Sequence, residues 1–199
     1  MKNILHIISS PRQQESSSIK LGNRIIEKLL TQYPGSSVTT HNLSQTHYPP
    51  LQEAQIAAFK TPPNALNAEQ QQLLSLSNKA VAQLAEADIL VIGSPLYNFT
   101  IPAGLKAWLD HIVRPGLTFT YENGKPQGLL KVQQVYLALA ANGVYSDGPT
   151  KHWDFAEPYL RHILGFIGLS NITTFRVEGG GIPGIMETAL EKGLESVQL

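Results

Sequence analysis

Short apolar runs alternate with longer stretches of helical period along the chain, the pattern of parallel strands joined by crossover helices rather than of segregated layers. The run Asn3 to Ile8 is apolar at nearly every position, as a strand covered on both faces must be, and it ends at Ser9, Ser10 and Pro11. Beyond a polar loop, Ile19, Ile25, Ile26, Leu29 and Leu30 recur at helical spacing until Pro34 and Gly35 stop the pattern. Val38 to Leu43 alternates more weakly and predicts an edge strand, and the Pro- and Gln-rich stretch Tyr48 to Ala68 reads as an excursion or a frayed helix. Ala68 to Glu86 predicts a two-faced helix that feeds the strand Ile89 to Gly93. A helix from about Pro102 to Ile112 follows, since proline loses nothing in a first turn. Thr118 to Tyr121, then Glu122, Asn123 and Gly124, predict a β-ribbon with an Asn-Gly turn that projects from the sheet. Val132 to Ala140 reads as the fourth strand, Trp153 to Ile167 as a helix, Ile172 to Val177 as the fifth strand and Ile185 to Val197 as a terminal helix.

Neither repeat nor linker interrupts this series, so residues 1–199 are expected to form one α/β domain. Right-handed crossovers leave few topologies for five such strands. The best fit is a flavodoxin-like, five-stranded parallel sheet in the order 2-1-3-4-5, with helices on both faces and the ribbon as an appendage. Sheets of that order bind ligands beyond the carboxyl ends of strands 1 and 3, where the winding reverses.

Composition narrows the function classes. Fifteen Lys and Arg balance 15 Asp and Glu, which leaves no electrostatic footprint for nucleic acid or an anionic membrane. No apolar run approaches the roughly 20 residues of a membrane span. The absence of cysteine excludes disulfides, thiolate metal sites and cysteine nucleophiles. The start, MKNILHIISS, holds too short an apolar run for a signal peptide, and a cytoplasmic location is expected.

Three loops leave the carboxyl edge of the expected sheet. The first, Ser9 to Ser18, ends at a helix start and offers hydroxyls, unpaired N–H groups and a helix dipole to an anion such as phosphate; Arg12 within it is read as a surface residue. One serine capping the helix, with the rest solvated, explains the same composition. The second loop, Pro95 to Pro102, brings Tyr97, Asn98 and Phe99, able to lay apolar surface on a flat ring while backbone groups read its polar edge, or simply to cover the core. The third, Ala140, Ala141, Asn142 and Gly143 followed by Val144 to Gly148, is small enough to let backbone approach a planar ligand. The conjunction of a phosphate end and a ring end at one sheet edge carries more weight than any loop alone.

With these loops in view, the chain resembles the FMN-dependent NADH azoreductase and quinone oxidoreductase family over nearly its whole length, most densely in SPLYNFTIPAGLKAWLDHIVRPGLTFTY, Ser94 to Tyr121. The resemblance implies that Ser10, Ser16, Ser17 and Ser18 hold the FMN phosphate. It implies that Pro95, Leu96, Tyr97, Asn98 and Phe99 line the isoalloxazine, and that Ala140, Ala141, Asn142 and Gly143 contact its pyrimidine side. Where the family often has Ser-Arg-Gly-Gly, this chain has Ala140, Ala141, Asn142 and Gly143, so a hydroxyl and a cation are missing beside the flavin, which bears on reduction potential and substrate range. The implied reaction is two-electron transfer from NADH or NADPH through FMN to a quinone or azo compound by a ping-pong mechanism, with no obligatory catalytic side chain. The implied assembly is a homodimer with the site at its interface. Phe119 and Tyr121 on the ribbon, with Tyr145 and the Trp153 region, are candidates for an aromatic wall over the ring. A flavodoxin-type FMN electron carrier is the alternative; such shuttles are usually strongly acidic, whereas this chain is neutral. An accessory subunit that uses the fold for regulation is a third reading.

Several motifs are set aside. Gly179, Gly181 and Gly184 satisfy G-x-G-x-x-G, but 15 residues after Gly184 leave no room for the crossover, second strand and ribose-binding acid of a dinucleotide fold. They read as a flexible loop that borders the site. The six histidines lack metal-ligand spacing, so no metal is expected. Asp110 and His111 are helical neighbours that do not face each other, and no G-x-S-x-G elbow supports a hydrolase.

Overall fold

A computed structural model describes residues 1–199. Its main sheet has the order β2-β1-β3-β6-β7, every pair parallel, built from β1 (Asn3–Ile8), β2 (Ser37–Asn42), β3 (Ile89–Pro95), β6 (Gln134–Ala140) and β7 (Ile172–Val177). The ribbon of β4 (Phe119–Glu122) and β5 (Lys125–Gly128) is a separate antiparallel pair, so the expected fourth and fifth strands are β6 and β7. The helices are α1 (Ser17–Gln32), α2 (Glu53–Lys60), α3 (Ala68–Ala85), α4 (Ala103–Ile112), α5 (Ala156–Phe166) and α6 (Met186–Glu195).

The central strand β3 is buried at every position, because apolar clusters cover both its faces. Leu90 and Ile92 pack with Leu105, Trp108 and Leu109 of α4 and Leu160 and Leu164 of α5. Ile89 and Val91 pack with Leu21, Ile25 and Leu29 of α1 and Ala189 of α6. The edge strand β2 is exposed over most of its length, as its weak alternation suggested. At Gly93 the sheet meets the first turn of α1 so closely that an added Cβ would lie 3.2 Å from the Ser18 carbonyl oxygen. The β1–β3 switch and the start of α1 are thereby fixed to one another.

His6 lies in the same layer, buried on β1 with its Nε2 unpaired against α1. Burial holds its pKa down at about 4, so the imidazole is neutral at pH 7.

Three expectations are refined. The stretch after β2 contains α2 and a single turn, Pro63–Ala65, before an Asn67–Gln70 capping box opens α3. The helix expected from Trp153 begins at Ala156, because the Asp154 carboxylate accepts the N–H groups of Ala156 and Glu157 at 2.8 and 3.0 Å. The ribbon turn has the expected geometry, with Asn123 and Gly124 at φ 52° and 75°. Its base does not stand free, however. Leu130 donates to Ile167 at 3.2 Å, and a Cβ at Gly128 would fall 2.1 Å from the Gly168 nitrogen. No helix is long and apolar enough to cross a membrane.

Candidate active site

The carboxyl ends of β1, β3, β6 and β7 open onto a cavity of about 250 Å³. Ser10, Ser16 and Ser17, then Pro95, Leu96 and Tyr97, then Ala140, Ala141 and Asn142 line it, together with Arg12, Glu15, Val177 and Gly180. The three loops therefore converge, and the only ionised side chains on the lining, Arg12 and Glu15, stand at the serine end.

The serine end is organised by the start of α1. Ser16 occupies the N-cap position but its side chain caps no helix amide; its Oγ pairs with that of Ser18 at 3.0 Å, both residues being buried. The first amides of α1 thus keep their donors and the positive end of the helix dipole faces the cavity. Ser10 is buried as well and accepts the Arg12 N–H at 3.3 Å. Buried hydroxyls, a helix N-terminus and one guanidinium suit a phosphate. Ser18 does not line the cavity and stands behind Ser16, whereas Arg12, read above as a surface residue, is exposed yet contributes to the lining.

The ring end is built from a strained turn. Tyr97 and Thr100 exchange backbone hydrogen bonds at 2.9 and 3.2 Å, and between them Asn98 and Phe99 have φ 49° and 70°. Asparagine tolerates that region, but for a phenylalanine it costs about 1–3 kcal/mol. Neither Asn98 nor Phe99 donates its N–H within the chain. Tyr97 lines the cavity itself, while Asn98 faces a neighbouring hollow with Thr100, Lys106 and Tyr159. Phe99 turns toward Tyr145 and Trp153, with ring centroids 6.0 and 5.7 Å away.

Beyond β6 the carbonyls of Gly143, Ala141 and Asn142 accept from the N–H groups of Gly179, Gly180 and Gly181 at 2.9, 3.3 and 3.0 Å. These bonds tie the loop after β6 to the loop after β7 and bring Gly180 to the lining. The N–H groups of Asn142 and Gly143 remain unpaired. Gly143 itself is set back behind Tyr145. Sequence reasoning missed Val177 and Glu15; for Gly180 the signal was present in the glycine run, read only as bordering loop.

The proposed aromatic wall divides. Tyr145 stands beside the ring end through Phe99, and Tyr121 is 64% exposed on the ribbon. Phe119 is 8% exposed and packs on Phe166 at 4.6 Å, so within this chain it belongs to the ribbon's foundation rather than to the cavity. His111 is likewise structural, hydrogen-bonded through Nε2 to the Pro49 carbonyl at 2.9 Å, and Asp110 pairs with Lys106 at 2.6 Å. No cluster of acidic residues and histidines that could hold a metal ion is formed.

A family model described as the flavodoxin-like fold matches residues 2–198. The chain is 39% identical over 197 residues to an FMN-dependent NADH:quinone oxidoreductase of Beijerinckia indica, covering 99% of this chain and 98% of that protein. Among solved structures it resembles an azoreductase from Bacillus anthracis str. Sterne, with TM-score 0.90, 30% identity and coverage of 98% and 96% of the two chains. It also resembles an FMN-dependent NADH-azoreductase from Bacillus anthracis str. Ames Ancestor determined in complex with FMN, with TM-score 0.85, 25% identity and coverage of 98% and 97%.

Proposed function

Because the chain belongs to the flavodoxin-like family that includes the FMN-dependent NADH:quinone oxidoreductases, we propose that it is such an oxidoreductase, reducing quinones and aromatic azo compounds. One observation carries this reading to the residues: a cavity with buried hydroxyls and a helix N-terminus at one end and an apolar turn with unpaired amides at the other. The donor set fits FMN. Ser10, Ser16, Ser17 and the first amides of α1 hold the phosphate, with Ser18 supporting Ser16 from behind and Arg12 adding charge. Pro95, Leu96 and Tyr97 would lie along the ring, with the free N–H of Asn142 on the lining and those of Asn98, Phe99 and Gly143 in the turns around it available to its polar edge.

Bound FMN supplies the two-electron chemistry between NADH or NADPH and the acceptor. The chain's part is to bind, orient and exclude water. No charged side chain stands at the ring end of the lining, so backbone dipoles provide the electrostatics there. Donor and acceptor would use one site in turn, beside the exposed Tyr97 and Phe99, which would give ping-pong kinetics. We place a second copy of the chain beside that site, where it would form a further wall, since Tyr97, Phe99, Trp153 and Phe155 are exposed around it. The working assembly is then a homodimer, in the cytoplasm. The named relatives and the neutral charge favour this enzyme over a flavodoxin-type carrier.

Purified protein should be yellow, and anaerobic NADH should bleach it within seconds. Colour without bleaching by either nicotinamide would favour the carrier, and colourless protein that takes up no FMN would remove both readings.

A further inference from the structure

Phe99 keeps its positive φ because neighbouring groups hold it there. Its carbonyl accepts the Phe155 N–H at 3.0 Å, and Tyr145 and Trp153 meet its ring edge-on. All three partners lie between β6 and α5, a connection whose only regular piece is the single turn Lys151–Trp153. That connection needs an anchor of its own.

Arg176 on β7 provides it. Its Nη1 donates to Glu178 at 2.9 Å, and its Nη2 donates to Asp154 at 2.5 Å and to Glu157. Glu178 in turn accepts the N–H groups of Tyr145 and Ser146 at 3.0 and 3.3 Å and the Ser146 hydroxyl at 2.5 Å. Asp154 sits between Trp153 and Phe155. The guanidinium therefore reaches Phe99 by two routes, through Glu178 to Tyr145 and through Asp154 to Trp153 and Phe155. Its side chain is only 14% exposed, and those of Asp154 and Glu178 are 6% and 10% exposed, so these pairs are shielded from solvent.

We propose that Arg176 is a positioning residue for the ring end of the cavity: acting through Glu178 and Asp154, it holds the Tyr97–Thr100 turn in the strained form that leaves its two central amides free. The link to cofactor binding rests on the function proposed above; the mechanical link does not.

Two substitutions each cut one route while preserving size. Glu178→Gln weakens the first, and Asp154→Asn the second, with asparagine still able to cap α5. Amide exchange measured by NMR on the FMN-free chain is the first readout, and FMN titration the second. In either variant the Tyr97 and Thr100 amides should exchange about tenfold faster, the size of one lost charge-assisted hydrogen bond, while the amides of β1 and β3 keep their wild-type rates. FMN affinity should fall by a similar factor. Arg176→Lys, which keeps the charge without the fork, should lie between wild type and these variants. Acceleration confined to residues 144–155 would show that the turn stands unaided and would overturn the proposal, as would uniform acceleration through β1 and β3. If the wild-type chain binds no FMN, the assigned function fails, and the exchange pattern still decides the coupling.

Discussion

The two ends of the cavity are held by different physics. At the serine end, regular structure does the work: the β1–β3 switch and the start of α1 meet across Gly93, and the hydroxyls project from a helix whose own packing fixes them. At the ring end, a two-residue turn with Phe99 at φ 70° is kept in place by aromatic contacts and by ion pairs on a distant strand. The first arrangement is local and tolerant of surface change. The second stores strain and depends on residues that never touch the cavity.

The largest effect should come from breaking the local arrangement at its base. Gly93→Val forces a branched side chain against the Ser18 carbonyl, and should destabilise the chain by about 3 kcal/mol or more and abolish FMN binding, as read by urea melts and FMN titration.

Acidification should separate the two ends. His6 is neutral in the fold with a pKa near 4 against 6.5 when exposed, so the unfolded chain binds the extra proton between those values. Stability present above pH 6.5 should fall by up to about 3 kcal/mol by pH 4, and His6→Leu should flatten that slope in urea melts. The ring-end cluster should persist to lower pH. Burial pushes Glu157 up, but hydrogen bonds from Thr174, Arg176 and Arg161 outweigh it and hold the carboxyl below its ordinary 4.5. That contribution is present above pH 4.5 and lost as the pH falls further, so Glu157→Gln should lower stability in urea melts above pH 4.5, and its difference from wild type should shrink below that pH.

Smaller changes sharpen the division. Ser16→Ala removes one buried hydroxyl and should weaken FMN by about tenfold, with inorganic phosphate losing its ability to compete, while the turn's amide exchange stays unchanged. Tyr121→Ala, on the exposed ribbon tip, should leave stability within about 0.5 kcal/mol and FMN affinity unaltered, and should move only the acceptor KM across a quinone series.

The same contrast governs how much was legible in the sequence. Both-face burial makes Asn3–Ile8 and Ile89–Pro95 almost wholly apolar runs, so the central strands, and the serine turn that follows the first of them, could be read directly. The Asn123-Gly124 pair announced its turn through residues that tolerate positive φ. Prolines at 49, 50, 62 and 63 broke the period around α2 and hid it. No propensity flags a phenylalanine in a left-handed turn, because the cause lies 46 to 56 residues away in Tyr145, Trp153 and Phe155. Arg176 reads as an ordinary polar position on an edge strand until the fold brings Asp154 and Glu157 beside it. The packing of Phe119 was hidden for a related reason: alternation marks it as one face of a ribbon, but only the fold shows that Phe166 of α5 covers that face.

The glycine amides that seize the three carbonyls after β6 give that rim a polarity. With those three carbonyls already engaged and the N–H groups of Asn142 and Gly143 unspent, its backbone is weighted toward proton givers. The backbone there thus offers more to a guest edged with lone pairs than to one edged with amino groups, and the side-chain oxygen of Asn142 is left as the acceptor on that rim.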